Sequence, residues 1–120
     1  MAFRMLKRPV LPQDFKARAL QWLALVARGR IFAEADPTQV EVAKGYIREG
    51  ISLAEKIKAK PFTVHGYLFL GEVLEIASRR EEALESLKKD EEMYLEMKVA
   101  TDSYWLNRAR EALARLQHTS

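Results

Sequence analysis

Apolar residues recur along the chain at spacings of three and four, and prolines and short polar turns cut the pattern into five helical stretches. With Pro12 at a first-turn position, residues 13 to 34 carry Phe15, Ala19, Trp22, Leu23, Val26 and Phe32 as one helix. Asp36-Pro37-Thr38-Gln39 supplies a cap, a proline at the first helical position and a glutamine three residues after the cap. The helix it opens has an unbroken stripe of Val40, Ala43, Ile47, Gly50, Ala54 and Ile57. Pro61 opens a third helix to about Ala77, and Ser78-Arg79-Arg80-Glu81 reads as a second capping box for a helix to about Met97. Thr101 or Asp102 caps a fifth helix through Trp105, Ala109, Ala112, Leu113 and Leu116. No stretch alternates with period two, and the loops have the shortness of antiparallel neighbours, so an all-α chain is expected. In the third helix Tyr67, Leu68, Phe69, Leu70, Val73, Leu74 and Ile76 surround most of the circumference, which predicts that it lies at the centre.

The pattern also repeats. Gly29 and Gly71 each precede a large apolar residue by three, Phe32 and Leu74, and each is followed by a helix with an alanine and a large residue four later, Ala43/Ile47 and Ala83/Leu87. Glycine inside a helix costs roughly 1 kcal/mol relative to alanine, so the paired positions imply close approach of helices. On these residues the chain resembles the tetratricopeptide repeat: Tyr67, Leu70-Gly71, Leu74, Ala83 and Leu87 match one copy, and Gly29, Phe32, Ala43, Ile47 and Gly50 match a weaker one. Trp105 and Ala109 stand where a third copy would begin. Arg28 before the first glycine, the missing terminal prolines and a period near 40 depart from the family pattern. The stretch from Ala59 to Leu116 is similar to the long-repeat helical regions at the C-terminal ends of large bacterial signalling proteins, among them ATPase-linked nucleotide cyclases and maltose-regulator-type transcription activators. The resemblance implies an α-α superhelix of antiparallel pairs, two hairpins and a closing helix, over residues 13–118 after a basic lead-in of residues 1–12.

Charge changes the picture more than composition does. The 120 residues include no cysteine, which leaves no disulfide or thiolate metal site. The net +3 hides a basic first quarter, with seven Lys/Arg against one acid in residues 1–30, and an acidic half, with eight against eleven in residues 61–120. Opposite ends suit head-to-tail contact with a neighbouring copy or another part of a longer chain better than with nucleic acid, for which no recognition motif accompanies the charge. No apolar run approaches the ~20 residues of a membrane span, so a cytoplasmic chain is expected.

The search for chemistry returns little. Gly66-Tyr-Leu-Phe-Leu-Gly71 has phosphate-loop spacing, but Glu72 and Val73 replace the lysine and hydroxyl residue, and a helix interior has no free N–H groups. Gly45 and Gly50 fail likewise, so all four read as packing glycines. His65 and His118 lack ligand partners at helical spacing, and the acids Glu81, Glu82, Glu85, Asp90, Glu91, Glu92 and Glu96 read as an ion-paired face beside Lys88 and Lys89. Asp90 alone falls on the inward stripe with Ala83, Leu87, Tyr94 and Met97, where it must reach water or a cation such as Arg108. No catalytic residue, cofactor or metal is expected.

The resemblance implies that the first helix of each pair lines a concave surface. Carried over residue by residue, it places Leu23, Val26, Arg30 and Ala33 there from the first helix, His65, Leu68, Glu72 and Glu75 from the third, and Ser103, Leu106, Arg110 and Leu113 from the fifth. Arg30, Glu72 and Arg110 then form a polar row beside an apolar row of Val26, Leu68 and Leu106, a groove for a peptide or helix. The alternative is that these groups satisfy one another across the stack. The expected function is a protein-interaction scaffold of a signalling protein; the rival is an effector sensor controlling an attached domain. Repeat stacks need about three units to bury a continuous core, and this chain has two and a half. A homodimer, or a fragment that associates weakly, is therefore expected, through Trp105, Leu113 and Leu116 at one end or Phe3, Met5 and Leu6 at the other.

Overall fold

A computed structural model describes residues 12–98 and 103–118. They form five α-helices: α1 (Pro12–Ala35), α2 (Val40–Lys56), α3 (Lys60–Ile76), α4 (Arg80–Glu96) and α5 (Tyr104–His118), with a 3-10 turn, Pro37–Gln39, before α2. No strand occurs among the described residues. The fold is all-α, as the periodicity predicts. Each helix packs on its neighbour in sequence, and α3 also touches α1 and α5, so the odd-numbered helices share one layer. The lead-in, with Phe3, Met5 and Leu6, and the caps Thr101 and Asp102 lie outside the described residues.

Local chemistry explains the boundaries. Asp36 is extended (φ −155°), and its Oδ1 accepts from the Thr38 amide at 3.0 Å and from the Thr38 hydroxyl at 2.7 Å. That satisfies a free donor at the helix start, and the same bonds lower the Asp36 pKa. Helices α2, α3 and α4 are each 17 residues long and end on a left-handed residue: Lys58, Ser78 and Lys98, with φ of 56°, 60° and 57°. After α2 the Ala59 amide donates to Ala54 and the Lys58 amide to Glu55; after α3 the Arg79 amide donates to Leu74 and the Ser78 amide to Glu75. This double bond satisfies carbonyls that the helix end leaves open. The second capping box is corrected accordingly: Ser78 terminates α3, and α4 begins after Arg79 with no side-chain cap.

Nine residues of α3 are buried, including Val64, Leu68, Leu70, Val73 and Leu74, and it touches all four other helices. It is the centre of the molecule. Gly71 sits against Leu87 so closely that an added Cβ would lie 2.5 Å from Leu87 Cγ, and at Gly29 it would lie 2.6 Å from Ile47 Cγ1. In both cases the glycine meets the large residue of the following helix, Ile47 for Gly29 and Leu87 for Gly71. Gly66 meets Ile51 in the same way, and Gly50 faces Val26. Gly45 has open space around it, which corrects its reading as a packing glycine.

Ala43, Ala83, Leu87 and Ala109 are fully buried, Leu70 nearly so, and Tyr67 and Trp105 are half-buried against the core. Leu113 and Leu116 are each only 6% exposed and belong to the main core. They are not available at a surface for self-association; α5 turns its apolar stripe inward. The exposed large apolar residues lie instead mainly on α1, at Leu20, Leu23 and Ile31.

Candidate interaction face

Glu72, on the buried centre of α3, gathers the charges of the odd-numbered layer. Arg30 from α1 donates Nη1 to Glu72 Oε1 at 2.8 Å, and Arg108 from α5 donates Nε and Nη2 to the two carboxylate oxygens, the latter at 2.6 Å. Glu72 is 7% exposed, so its carboxylate requires such partners, and a bidentate guanidinium supplies them with fixed geometry. Glu72 in turn holds the Arg108 pKa above its ordinary value. Arg30 also pairs with Glu34 one turn on.

This arrangement keeps Arg30 and Glu72 together as the spacing predicts but replaces the third member. Arg110 donates to Glu91 of α4 at 2.9 Å, and Arg108 faces α3. Two residues on a helix turn the side chain by about 200°, so an error of two in the register of α5 exchanges one face for the other. The apolar row is corrected as well. Val26 is 3% exposed and Leu68 and Leu106 are fully buried, so they form core and not groove floor. Ala33 and Leu113 are buried too.

What the layer carries beside the charges is a row of rings. Phe15 stacks on Phe62 (centroids 5.9 Å apart), Phe62 on Trp22 (4.7 Å), and Trp22 approaches Phe69 (6.4 Å). Phe69 meets Trp105 edge-on (6.3 Å), and Trp105 contacts His65 (4.5 Å) and Tyr104 (5.0 Å). The Arg108 guanidinium lies over both Phe69 and Trp105. The row crosses α1, α3 and α5 continuously. Its outer ends are accessible, with Phe15 38% and Tyr104 65% exposed. No spacing within one helix announces it, because each ring is brought to the next by packing between helices.

His65 lies beneath this row, its Nδ1 2.6 Å from the Tyr94 hydroxyl. Burial pushes the imidazole pKa down and the phenol pKa up, so a neutral ring and a protonated hydroxyl face each other. Asp90 is fully buried, as its stripe position implies, yet reaches neither water nor Arg108, whose guanidinium is occupied by Glu72. Neither Asp90 oxygen has a hydrogen-bond partner among the described residues. Burial first, and the Glu72 charge second, raise its pKa to about 8, so near neutrality it is largely the uncharged acid.

The opposite layer is different in kind. Lys44 is buried and lies 3.5 Å from both Glu41 and Glu82, and Arg79 bridges Glu41 (2.8 Å) and Glu82 (3.1 Å). Of the α4 acids, Glu82 pairs with Lys44 and Arg79 and Glu91 with Arg110, and none pairs with Lys88 or Lys89 among the described residues. Lys89 sits over the Tyr67 ring. A cavity of about 340 Å³ opens there on Ile51, Leu70 and Leu74, flanked by Arg48 and Glu85. No group of His, Cys, Asp and Glu suited to a metal ion occurs among the described residues, and no helix among them is long and apolar enough to cross a membrane.

Neither a protein-family model, nor a curated protein, nor a solved structure matches this chain.

Proposed function

We propose that the chain is a non-catalytic protein-interaction module of the tetratricopeptide kind, working in the cytoplasm as part of a bacterial signalling or regulatory protein. Its partner is a peptide or amphipathic helix that lies across α1, α3 and α5. The observation that carries the reading is the continuous row of rings from Phe15 to Tyr104 beside the Arg30–Glu72–Arg108 cluster. Aromatic side chains and arginines dominate binding energy at protein interfaces, because rigid rings give large contact area and a guanidinium bonds in a fixed plane. Here both are held in place before any partner arrives, which reduces the ordering cost of binding. A partner side chain that is apolar with a nearby carboxylate complements rings flanked by guanidinium groups.

The exposed ends of the row give the test. Tyr104→Ser and Phe15→Ser remove accessible ring surface and keep every bond to Glu72, at the loss of the 3.4 Å bond from Arg108 to the Tyr104 hydroxyl. Capture of a defined partner protein in stoichiometric amount should fall at least tenfold in the double variant, with the melting temperature nearly unchanged. An Arg48→Ala variant, on the opposite layer, should capture as the parent does. Capture indifferent to the ring substitutions would move the site elsewhere. A saturable rise in melting temperature with a small molecule, in place of protein capture, would favour the effector sensor.

A further inference from the structure

α1 buries one side and leaves the other bare. Trp22, Val26, Gly29 and Ala33 face the core, and the helix positions opposite them are Ala17, Leu20, Ala24, Ala27 and Ile31, with Leu23 at their edge. Leu20 is 67% exposed, Ile31 66% and Leu23 53%. Large apolar side chains grouped on one exposed stripe are the mark of a surface that another element covers.

We propose that the cover is α1 of a second copy of this chain, packed antiparallel about a two-fold axis. The pattern on the stripe is self-complementary under reversal. With the axis between Ala24 and Ala27, Ala24 meets the partner's Ala27, and Leu20 meets the partner's Ile31 on either side. Small residues at the crossing let two helices approach to the near end of the 8–10 Å range, and the flanking Leu and Ile close the contact. Charge fits the same register. Lys16, near the start of the stripe, has no ion partner among the described residues. It comes within one residue of the partner's Glu34 near the far end, a carboxylate that otherwise has only Arg30 of its own helix, and the two-fold repeats that pair. A parallel pairing would instead align Lys16 with Lys16 and Glu34 with Glu34. An isologous contact of this kind closes on itself, so the product is a dimer and not a fibre.

One helix face is smaller than the roughly 800 Å² per partner of a standard interface, which argues for a weak, concentration-dependent dimer. The contact leaves Phe62, Phe69, Trp105 and Tyr104 uncovered, so it is distinct from the face proposed for a partner protein.

Light scattering coupled to size exclusion, over a concentration series of the full chain, reads the result as a mass rising from 13.8 kDa toward twice that value. Leu20→Glu/Ile31→Glu should hold the mass at one copy, with unchanged helicity by circular dichroism; Leu95→Glu, on exposed α4 surface, should leave the rise intact. Because the double substitution can act on folding, charge exchange provides a second reading. Lys16→Glu should weaken dimerisation several-fold, and Lys16→Glu/Glu34→Lys should restore it. A single copy at every concentration overturns the proposal. So does a dimer that survives Leu20→Glu/Ile31→Glu, or a charge exchange that restores nothing.

Discussion

Helices α1 and α3 both carry apolar residues around most of their circumference, but only α3 has none of its large apolar residues exposed. Four other helices surround α3, and its Leu68, Val64 and Val73 are fully buried. α1 packs on α2 and α3 and presents Leu20 and Ile31 to solvent. The same kind of sequence therefore encodes two situations, a finished core helix and a helix with one contact still to make. Periodicity cannot separate them, because it reports which side chains avoid water and not what supplies the cover.

Truncation separates the two helices most strongly. Leu68→Ala should cost about 3 kcal/mol in urea unfolding, the usual range for a buried leucine, whereas Leu20→Ala should stay within about 0.5 kcal/mol at concentrations where the chain is monomeric. Equal costs would show that α1 is covered within a single copy. Overfilling gives the next effect. Gly71→Ala forces a Cβ onto fully buried Leu87 and should cost about 2 kcal/mol, while Gly45→Ala, with open space, should gain up to about 1 kcal/mol.

Asp90 sharpens the account of the centre through pH. Its folded pKa is raised, so the folded state holds a proton that the unfolded chain has released above about pH 4. Stability then falls as pH rises from about 4 to about 8, by up to about 1.4 kcal/mol per unit, and levels off above. His65, whose folded pKa is lowered, acts in the opposite sense below about pH 6.5. Between pH 6.5 and 8 the Asp90 slope should therefore stand alone, and Asp90→Asn should flatten it. A slope unchanged by that substitution would place the titrating group elsewhere. The smallest effects belong to the helix ends. Lys58→Gly and Ser78→Gly relieve a left-handed residue and should each gain roughly 0.5 kcal/mol in thermal melts, while losing some of that gain to the freer unfolded chain.

Much of the fold is legible in the residues, and what is hidden has particular causes. The stripe of α2, the central place of α3 and the close approaches at Gly29 and Gly71 follow from spacing, because they are properties of one helix or of a repeated pair. Ser78 misleads because serine is a common first cap, yet here two backbone bonds hold it at the end of α3. Arg108 is missed in favour of Arg110 because the turn before α5 carries no periodic signal to fix rotation. The ring row and the burial of Lys44 depend on contacts between helices far apart in sequence, such as Trp22 with Phe62 and Lys44 with Glu82. Asp90 falls on the inward face as its spacing requires, but the absence of a partner depends on Glu72 having already taken Arg108.

The bare face of α1 is most directly tested by cross-linking, which a chain without cysteine makes clean. Ala24→Cys places a single thiol beside the proposed two-fold axis, and Glu92→Cys places one on exposed α4 surface. With a short bis-maleimide at a protein concentration that favours association, Ala24→Cys should be trapped as a covalent dimer and Glu92→Cys should remain monomeric. Equal trapping of the two, or none at Ala24→Cys, would contradict the account.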